Sequence, residues 1–248
     1  MLAQQVNQFK IWLQHNENPA YRKLFLILKT VRACDIPTPK IYNKLVGFFY
    51  SGCHSVWNNL IRVTIHTPAF KGRLSGYGQG LYLFGGVPFV SGPLSISLGE
   101  DCRISGQTTF SARPQSINPS LIVGSNVDIG WQSTFAVGNR IVIGDNVRIA
   151  GRAFLFGYSG HSLDAQLRAK GLGDLDCDVG DIVLKNDVWL GTNVTVCPNV
   201  TIGEGTIVGT GSVVTKDLPP FVVAAGNPAK VIRSLVQHSS SDEENNHA

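Results

Sequence analysis

The stretch LKNDVWLGTNVTVCPNVTIGEGTIVGTGSVV, residues 184–214, repeats every six residues and decides the fold of this chain. Its aliphatic ladder is Leu184, Leu190, Val196, Ile202, Val208 and Val214. Four residues after most of these comes a second small or β-branched residue, such as Val188 or Thr206. A period of six matches neither an amphipathic helix nor a simply alternating strand.

The same spacing occurs upstream in three shorter runs: Leu98, Ile104 and Phe110; Val123, Ile129 and Phe135; Ile143, Ile149 and Leu155. Short strands joined by tight corners satisfy this period, because each strand then sends one large apolar residue inward. Three such sides close a coil of about 18 residues, and coils stack as parallel β-structure. Corner triplets such as GDN (144–146) and GEG (203–205) tolerate the positive φ that a corner needs. The sequence predicts an all-β, triangular β-helix of five coils, with a partial coil from residue 78.

The period breaks at 116–122, 138–142 and 158–182, and such breaks become surface loops that often carry function. The longest break contains GYSGHSLDA (157–165) and therefore His161. Of the six histidines in the chain, His161 alone lies in the repetitive region. We expect the domain boundaries 76–233 for the β-helix, with 158–182 as a long loop.

Residues 1–75 predict a helical, basic N-terminal region. Leu2, Val6, Phe9 and Leu13 recur at helical spacing, Asn18-Pro19 is a favourable helix start, and a further helix begins near Lys40. The region holds ten Lys or Arg and two Asp or Glu, a net charge of +8. Two interpretations are open: helices lying on an anionic membrane surface, or apolar faces packed on the next domain with solvated lysines.

The remaining features set the broad class of the protein. Residues 234–248 form a polar, acidic tail that we expect to be disordered. The five cysteines include no C-x-x-C pair, which favours reduced thiols in a cytosol. No secretory signal and no long apolar span is recognised, which predicts a cytoplasmic protein, with peripheral membrane contact as the alternative for residues 1–75.

Four pieces of the sequence resemble the hexapeptide-repeat acyltransferases: VWLG (188–191), VVTKDLPP (213–220), AGNPAKVIR (225–233) and GH (160–161). They are similar to the galactoside, maltose and nodulation-factor O-acetyltransferases and to sugar acetyltransferases of bacterial exopolysaccharide and lipopolysaccharide pathways. The likeness covers about residues 76–233. The helical residues 1–75 do not match the short N-terminus of the galactoside and maltose enzymes. The identity of the acceptor is therefore not inferred from those enzymes.

This resemblance implies a left-handed β-helix, a homotrimer, and acetyl-CoA as cosubstrate in the cleft between two subunits, with no metal. It implies that the 158–182 loop is the active-site loop and that His161 is the catalytic base. It places Thr192 and Thr210 beside the pantetheine arm and Thr215 and Lys216 near the adenosine end. By the same resemblance Lys230 and Arg233 meet the phosphates, a role that suits cations because charge-assisted hydrogen bonds to phosphate are strong.

The chemistry of acetyl transfer needs a base at the acceptor hydroxyl, and a neutral imidazole suits that role near neutral pH. Asp164 or a backbone carbonyl would orient the His161 ring. Cys197 follows a ladder residue directly, so we read it as a small corner residue and not as an acyl carrier. We expect an enzyme that moves an acetyl group from acetyl-CoA to a sugar hydroxyl in bacterial surface polysaccharide biosynthesis.

Other function classes are weighed against this one. A non-catalytic β-helix scaffold, and an acyltransferase acting on an amine or a small molecule, remain alternatives. A zinc hydro-lyase of the γ-carbonic anhydrase type is close to excluded, because it needs three converging histidines. GDLDCDVGD (173–181) departs from a calcium loop, since Gly180 comes one place late, and a solvated acidic loop is favoured. No nucleoside triphosphatase motif is present, and we expect no nucleic-acid partner.

Overall fold

The computed structural model describes residues 2–235. Met1 and residues 236–248 lie outside the described residues, and with them almost all of the predicted tail. The chain divides into two compact units, one up to Val56 and one from Trp57 onwards. Among residues 2–235, none of the helices has the length and hydrophobicity of a membrane-spanning segment.

Three helices make up the N-terminal part of the chain: α1 (Leu2–His15), α2 (Pro19–Arg32) and α3 (Lys40–Ile61). The predicted helix start is confirmed, because the Asn18 Oδ1 accepts the Ala20 amide at 2.9 Å and so caps α2. The α1–α2 hairpin buries Leu13, and Trp12 contacts the Tyr21 ring with the centroids 5.0 Å apart. The helix expected near Lys40 is α3.

A π-helical turn (Arg62–His66) and the short helix α4 (Thr67–Lys71) follow α3. Phe70 on α4 is fully buried, and its ring stacks on Phe110 with a centroid distance of 6.2 Å. Phe70 therefore extends the apolar core beyond the first coil.

Twenty strands then form three sheets, and successive strands pass from sheet A to B to C and back to A. Sheet A holds β1 (Gly76–Tyr77), β4 (Ser95–Leu98), β7 (Ser120–Val123), β10 (Arg140–Ile143), β13 (Ile182–Leu184) and β16 (Val200–Ile202). Sheet B holds β2 (Tyr82–Phe84), β5 (Arg103–Ser105), β8 (Asp128–Ile129), β11 (Arg148–Ile149), β14 (Trp189–Leu190), β17 (Ile207–Val208), β19 (Val222–Gly226) and β20 (Ala229–Ser234). Sheet C holds β3 (Phe89–Ser91), β6 (Thr109–Ala112), β9 (Thr134–Val137), β12 (Phe154–Phe156), β15 (Thr195–Val196) and β18 (Val213–Val214).

All strand pairs within these sheets are parallel except β19 with β20, so the fold is a three-sided parallel β-helix with a helical N-terminal extension, as predicted. The ladder residues are stacked in register: Ile149 pairs with Leu190, and Leu190 pairs with Val208. Every residue of the predicted six-residue ladder is buried, and together they form one core. Parallel stacking of like apolar residues thus explains the period.

The prediction of five coils and a partial one was too low. Strands β1 to β18 form six complete coils that begin at Gly76, and β19 adds one side of a seventh. The first coil escaped the pattern because its inward residues Leu83 and Val90 are seven positions apart. Its first strand, Gly76–Tyr77, offers no aliphatic residue.

The corners between sheets A and B show why Asn and Asp recur at them. Asn146 and Gly205, both in predicted corner triplets, have φ of 58° and 63°. Asn126 Nδ2 donates to Asn146 Oδ1 at 2.8 Å, and Asn146 Nδ2 donates to Asp187 Oδ1 at 3.0 Å. These side chains tolerate the left-handed backbone and bond the stacked corners to one another.

The loops lie at a different corner, where the chain passes from a strand of sheet C to a strand of sheet A. We name it the C–A corner. The three predicted breaks all lie there, as loops at 113–119, 138–139 and 157–181. Each differs by a few residues from the prediction because 120–122 and 140–142 pair in β7 and β10, and Ile182 starts β13. The longest loops of adjacent coils are therefore neighbours, and this positions the candidate site.

Candidate active site

The 157–181 loop leaves and re-enters the β-helix at one point. Gly157 donates to the Ala136 carbonyl at 2.7 Å, and its own carbonyl accepts the Gly180 amide at 2.9 Å. Between these ends lie a one-turn helix, α5 (Ala165–Ala169), and a 3₁₀ turn (Asp176–Asp178). The loop is therefore an excursion from a continuous wall, as the unbroken ladder on both sides predicted.

His161 lies near the start of this loop with its side chain exposed. Its backbone is held from both sides: Ser159 Oγ donates to the His161 carbonyl at 2.8 Å, and Arg168 Nη1 donates to the Ser162 carbonyl at 2.8 Å. Within residues 2–235, no group makes a hydrogen bond to the His161 imidazole. The ring is thus available to a substrate while its backbone is positioned.

Asp164, one of the two candidates to orient the imidazole, has a different visible role. Its Oδ1 accepts the Gln166 amide at 2.7 Å and the Leu167 amide at 3.0 Å, which makes it the N-cap of α5. The cap fixes the helix turn that carries Arg168, and Arg168 in turn holds the backbone next to His161. Asp164 therefore acts on the shape of the loop.

A buried ion pair joins this loop to the 113–119 loop of an earlier coil. Arg113 Nε lies 3.1 Å from Asp174 Oδ2 as an ion pair without a hydrogen bond, and both side chains are almost fully buried. Arg113 Nη2 donates to the Asp174 carbonyl at 2.8 Å, and its Nη1 donates to Asp176 Oδ1 at 2.7 Å. One guanidinium thus fixes the returning half of the loop.

The acidic segment 173–181 is therefore only partly the solvated loop that we expected. Asp176 is exposed, but Asp174 is buried against Arg113, so the prediction was wrong for Asp174. The sequence pattern missed Arg113 because the pairing joins two loops 61 residues apart that share no period. Among residues 2–235, no group of three His, Cys, Asp or Glu could hold a metal ion.

The two loops line a half-open cavity of about 410 Å³ at the C–A corner. His161, Tyr158 and Arg168 line it from the long loop, and Pro114 and Gln115 line it from the shorter one. The candidate base therefore faces a space large enough for a small polar ligand group.

The residues expected to bind coenzyme A lie in three places on the last coils. Thr192 and Thr210 are exposed and stacked at the corner between sheets B and C, where the Thr192 carbonyl accepts the Gly211 amide at 2.8 Å. A Cβ at position 191 would lie 2.7 Å from the Thr210 amide nitrogen, which explains the glycine of the VWLG motif. The structure brings these two threonines together.

Thr215 and Lys216 lie elsewhere, directly after β18 at the C–A corner. Both side chains are exposed. They share this corner with the 157–181 loop, which leaves the wall two coils earlier, after β12. The structure therefore groups Thr215 and Lys216 with the His161 side of the β-helix and separates them from Thr192 and Thr210.

Lys230 and Arg233 lie on the terminal strand β20, opposite Ala225 and Val223 of β19. Residues three positions apart in a regular strand, such as Lys230 and Arg233, normally lie on opposite faces of it. The pairing shifts between these two positions, however, so that Ile232 is extra and both cations oppose outward-facing residues of β19. Residues directly opposite in a ladder share a face, so the bulge places Lys230 and Arg233 on the same outer surface.

Cys197 occupies the C–A corner one coil below Thr215 and packs against the core. Burial raises the pKa of its thiol, so the thiolate needed for an acyl-cysteine is disfavoured at neutral pH. This supports its interpretation as a small corner residue.

The sequence signature of the coils matches a known family. Residues 181–216 match the family described as bacterial transferase hexapeptide (six repeats). Residues 181–216 therefore carry the sequence signature of the bacterial hexapeptide transferases. Galactoside O-acetyltransferase of Escherichia coli is 41% identical over 139 residues, which cover 56% of this chain and 64% of that protein. Polysialic acid O-acetyltransferase of Escherichia coli is 39% identical over 127 residues, 48% of this chain and 40% of that protein.

The chain therefore spans less than two thirds of the length of those curated relatives. Among solved structures, the N-acyltransferase AntD from Bacillus cereus, in complex with dTDP and 3-hydroxybutyryl-CoA, matches with a TM-score of 0.55. The match covers 68% of this chain and 88% of AntD at 20% identity, so it shows the shared fold alone.

Proposed function

We propose that this protein is a CoA-dependent O-acetyltransferase that moves an acetyl group from acetyl-CoA to a sugar hydroxyl, with His161 as general base. The observation that carries the proposal is the exposed, unbonded His161 ring at the wall of the C–A cavity, on the one long loop of the β-helix. Two relatives, named galactoside O-acetyltransferase and polysialic acid O-acetyltransferase, support the choice of reaction.

Bound acetyl-CoA supplies an activated acetyl group as a thioester. The His161 imidazole accepts the proton of the acceptor hydroxyl as that oxygen attacks the acetyl carbon, and the new ester bond forms as the carbon–sulfur bond breaks. The resulting imidazolium returns the proton to the departing sulfur, so His161 ends the cycle neutral. No covalent enzyme intermediate is needed, which agrees with the raised pKa of the Cys197 thiol.

The residues of the last coils fit the cosubstrate in kind. Lys230 and Arg233 present two cations on one outer surface for the phosphates, and the exposed Thr192 and Thr210 form a stacked edge for the pantetheine arm. Thr215 and Lys216 lie on the His161 side, at the adenosine end in this proposal. In AntD the same fold holds an acyl-CoA.

We also propose the wider setting of the reaction. The assembly is a homotrimer with acetyl-CoA in the cleft between subunits, and the acceptor is a glycan intermediate of bacterial surface polysaccharide biosynthesis. The protein works in the cytoplasm, and residues 1–75 make peripheral contact with the inner face of the membrane. The net charge of +8 in this region supports that contact.

Replacement of His161 by Ala tests the proposal. We expect acetyl transfer to candidate sugars, followed by mass spectrometry, to fall by about 10²–10⁴-fold, the usual contribution of general acid–base catalysis. Calorimetric binding of acetyl-CoA should stay unchanged, because the residues assigned to it lie on other coils. His66 ends the π-helical turn before α4 and lies outside the coils, so His66→Ala serves as the control histidine variant.

Each proposed role has its own contrary result. Near-normal turnover in the His161→Ala protein would falsify the role of His161. Absence of acetyl-CoA binding by the unaltered protein would favour the non-catalytic scaffold. Transfer to an amino sugar but to no hydroxyl acceptor would favour the amine-acylating alternative.

A further inference from the structure

Helix α3 is amphipathic, and its apolar side is exposed in the part of the chain that the structure describes. Residues 45–61 hold no Lys, Arg, Asp or Glu. Ile41, Leu45, Phe49, Cys53 and Val56 recur every three or four positions and share one side of the helix. Adding the flanking residues defines the α3 apolar face: Ile41, Tyr42, Leu45, Val46, Phe48, Phe49, Cys53 and Val56.

Every member of this face is exposed, and Phe48 and Phe49 leave 74% and 63% of their surface open to solvent. None of the helix residues is buried. Side chains of Lys40 and Lys44, with Ser51 and Ser55, come from the other side of the helix. A continuous exposed apolar face of eight residues indicates a binding surface for a partner.

The charge around this face decides which partner fits. Residues 2–56 carry seven Lys or Arg and two acidic residues, a net charge of +5. The α1–α2 hairpin repeats the combination, because its groove joins apolar and cationic side chains: Val6, Phe9, Leu28, Lys10, Lys29 and Arg32. A second copy of this chain would bring the same positive charge to the contact, whereas an anionic lipid surface brings the opposite charge.

We propose that α3 lies in the plane of an anionic lipid bilayer, with the α3 apolar face among the acyl chains and Lys40 and Lys44 at the headgroups. This inference rests on the peripheral membrane contact proposed above and names the segment and the lipid chemistry. Lysines at the end of such a helix reach the headgroups while their stems cover apolar surface. The enzyme then works beside membrane-linked acceptors.

Vesicle sedimentation of the full chain tests the inference. The probes are vesicles of phosphatidylcholine alone and of phosphatidylcholine mixed with phosphatidylglycerol. We expect Phe49→Gln to weaken binding about tenfold or more, because one buried phenylalanine is lost from the acyl region. Lys40→Gln with Lys44→Gln should weaken binding to the anionic vesicles about fivefold per lysine and leave the neutral ones unaffected.

Phe89→Gln is the matched control, since Phe89 on β3 has the same 63% exposure as Phe49 but lies on the β-helix. It should bind vesicles as the unaltered protein does. Circular dichroism and acetyl transfer without vesicles show that each variant is folded, and both should be unchanged for Phe49→Gln.

Three results would overturn the inference, and they differ from failure of the enzymatic proposal. An active protein that does not sediment with anionic vesicles removes the membrane contact and leaves the acetyltransferase proposal intact. Binding lost equally in Phe49→Gln and Phe89→Gln, or in neither, removes α3 as the docking segment. A change in oligomer mass for Phe49→Gln without lipid assigns the face to a protein contact.

Discussion

The coils from β13 to β18 and the 157–181 loop are neighbours in one chain, but different forces specify them. In the coils, each side repeats the same buried aliphatic rung and the same parallel pairing. Most of the loop is exposed, and its conformation depends on single polar contacts made by Arg113, Asp164 and Arg168. Repetition therefore builds the scaffold, and unique contacts build the site.

The largest expected effect lies in the coils and concerns Phe135→Ala. Phe135 is fully buried, and its ring lies 5.2 Å from that of Phe110 in the coil below. We expect the free energy of unfolding to fall by about 3–5 kcal/mol, the cost of a phenylalanine cavity in a core. Denaturant unfolding measures the change.

Phe154→Ala is the control for this substitution, because Phe154 belongs to the next strand of sheet C but faces outward and is 40% exposed. It should cost less than about 1 kcal/mol. Equal losses for the two variants would show that the ladder does not carry the stability of the coils.

The ladder could be predicted from the sequence because each strand repeats one buried apolar residue at the same six-residue spacing. Fifteen positions from Leu98 to Val214 followed one period, and all of them are buried. Local chemistry was readable as well, since Asn18-Pro19 starts α2 and Asn146 turns a corner with positive φ. The break in the period located the loop and His161, and the resemblance supplied the proposed catalytic role of His161.

Contacts between loops were not readable, because they obey no period. Arg113 directly follows strand β6, three positions after the ladder residue Phe110, and looks like the solvated end of a strand. Its partner Asp174 stands in an acidic run that looks equally solvated. Only the stacking of both loops at the C–A corner, fixed by the pairing of β7, β10 and β13, makes them neighbours.

The next largest effect is expected from Arg113→Gln, which removes the buried ion pair between the two loops. The change leaves the Asp174 carboxylate buried without its cation, which is costly, so the loop is expected to open and solvate it. Turnover should fall about tenfold to a hundredfold, because His161 loses its fixed position. The KM for acetyl-CoA should stay unchanged, and the loop should become sensitive to protease.

Arg113→Lys should recover part of the turnover, since lysine restores the positive charge but cannot reproduce the two Nη hydrogen bonds to Asp174 and Asp176. Arg140→Gln is the matched control: its ion pair with Asp181 at 3.0 Å lies at the same corner but is about half exposed. Exposed pairs contribute about 0–1 kcal/mol, so turnover should hardly change. If Arg113→Gln and Arg140→Gln behaved alike, the buried link would have no special part in placing His161.

The smallest expected effect separates two roles for Asp164. As the N-cap of α5 it accepts two backbone amides, and asparagine caps a helix about as well as aspartate does. Asp164→Asn should therefore keep nearly full turnover, whereas Asp164→Ala should lose a cap contribution of about 1 kcal/mol from the loop and a few-fold in turnover. If Asp164 instead oriented the His161 imidazolium through its charge, Asp164→Asn would lose as much as Asp164→Ala and would shift the pH profile of turnover. An unchanged profile for the asparagine variant places the role of Asp164 in the shape of the loop, because a cap needs an oxygen acceptor and an electrostatic partner needs a charge.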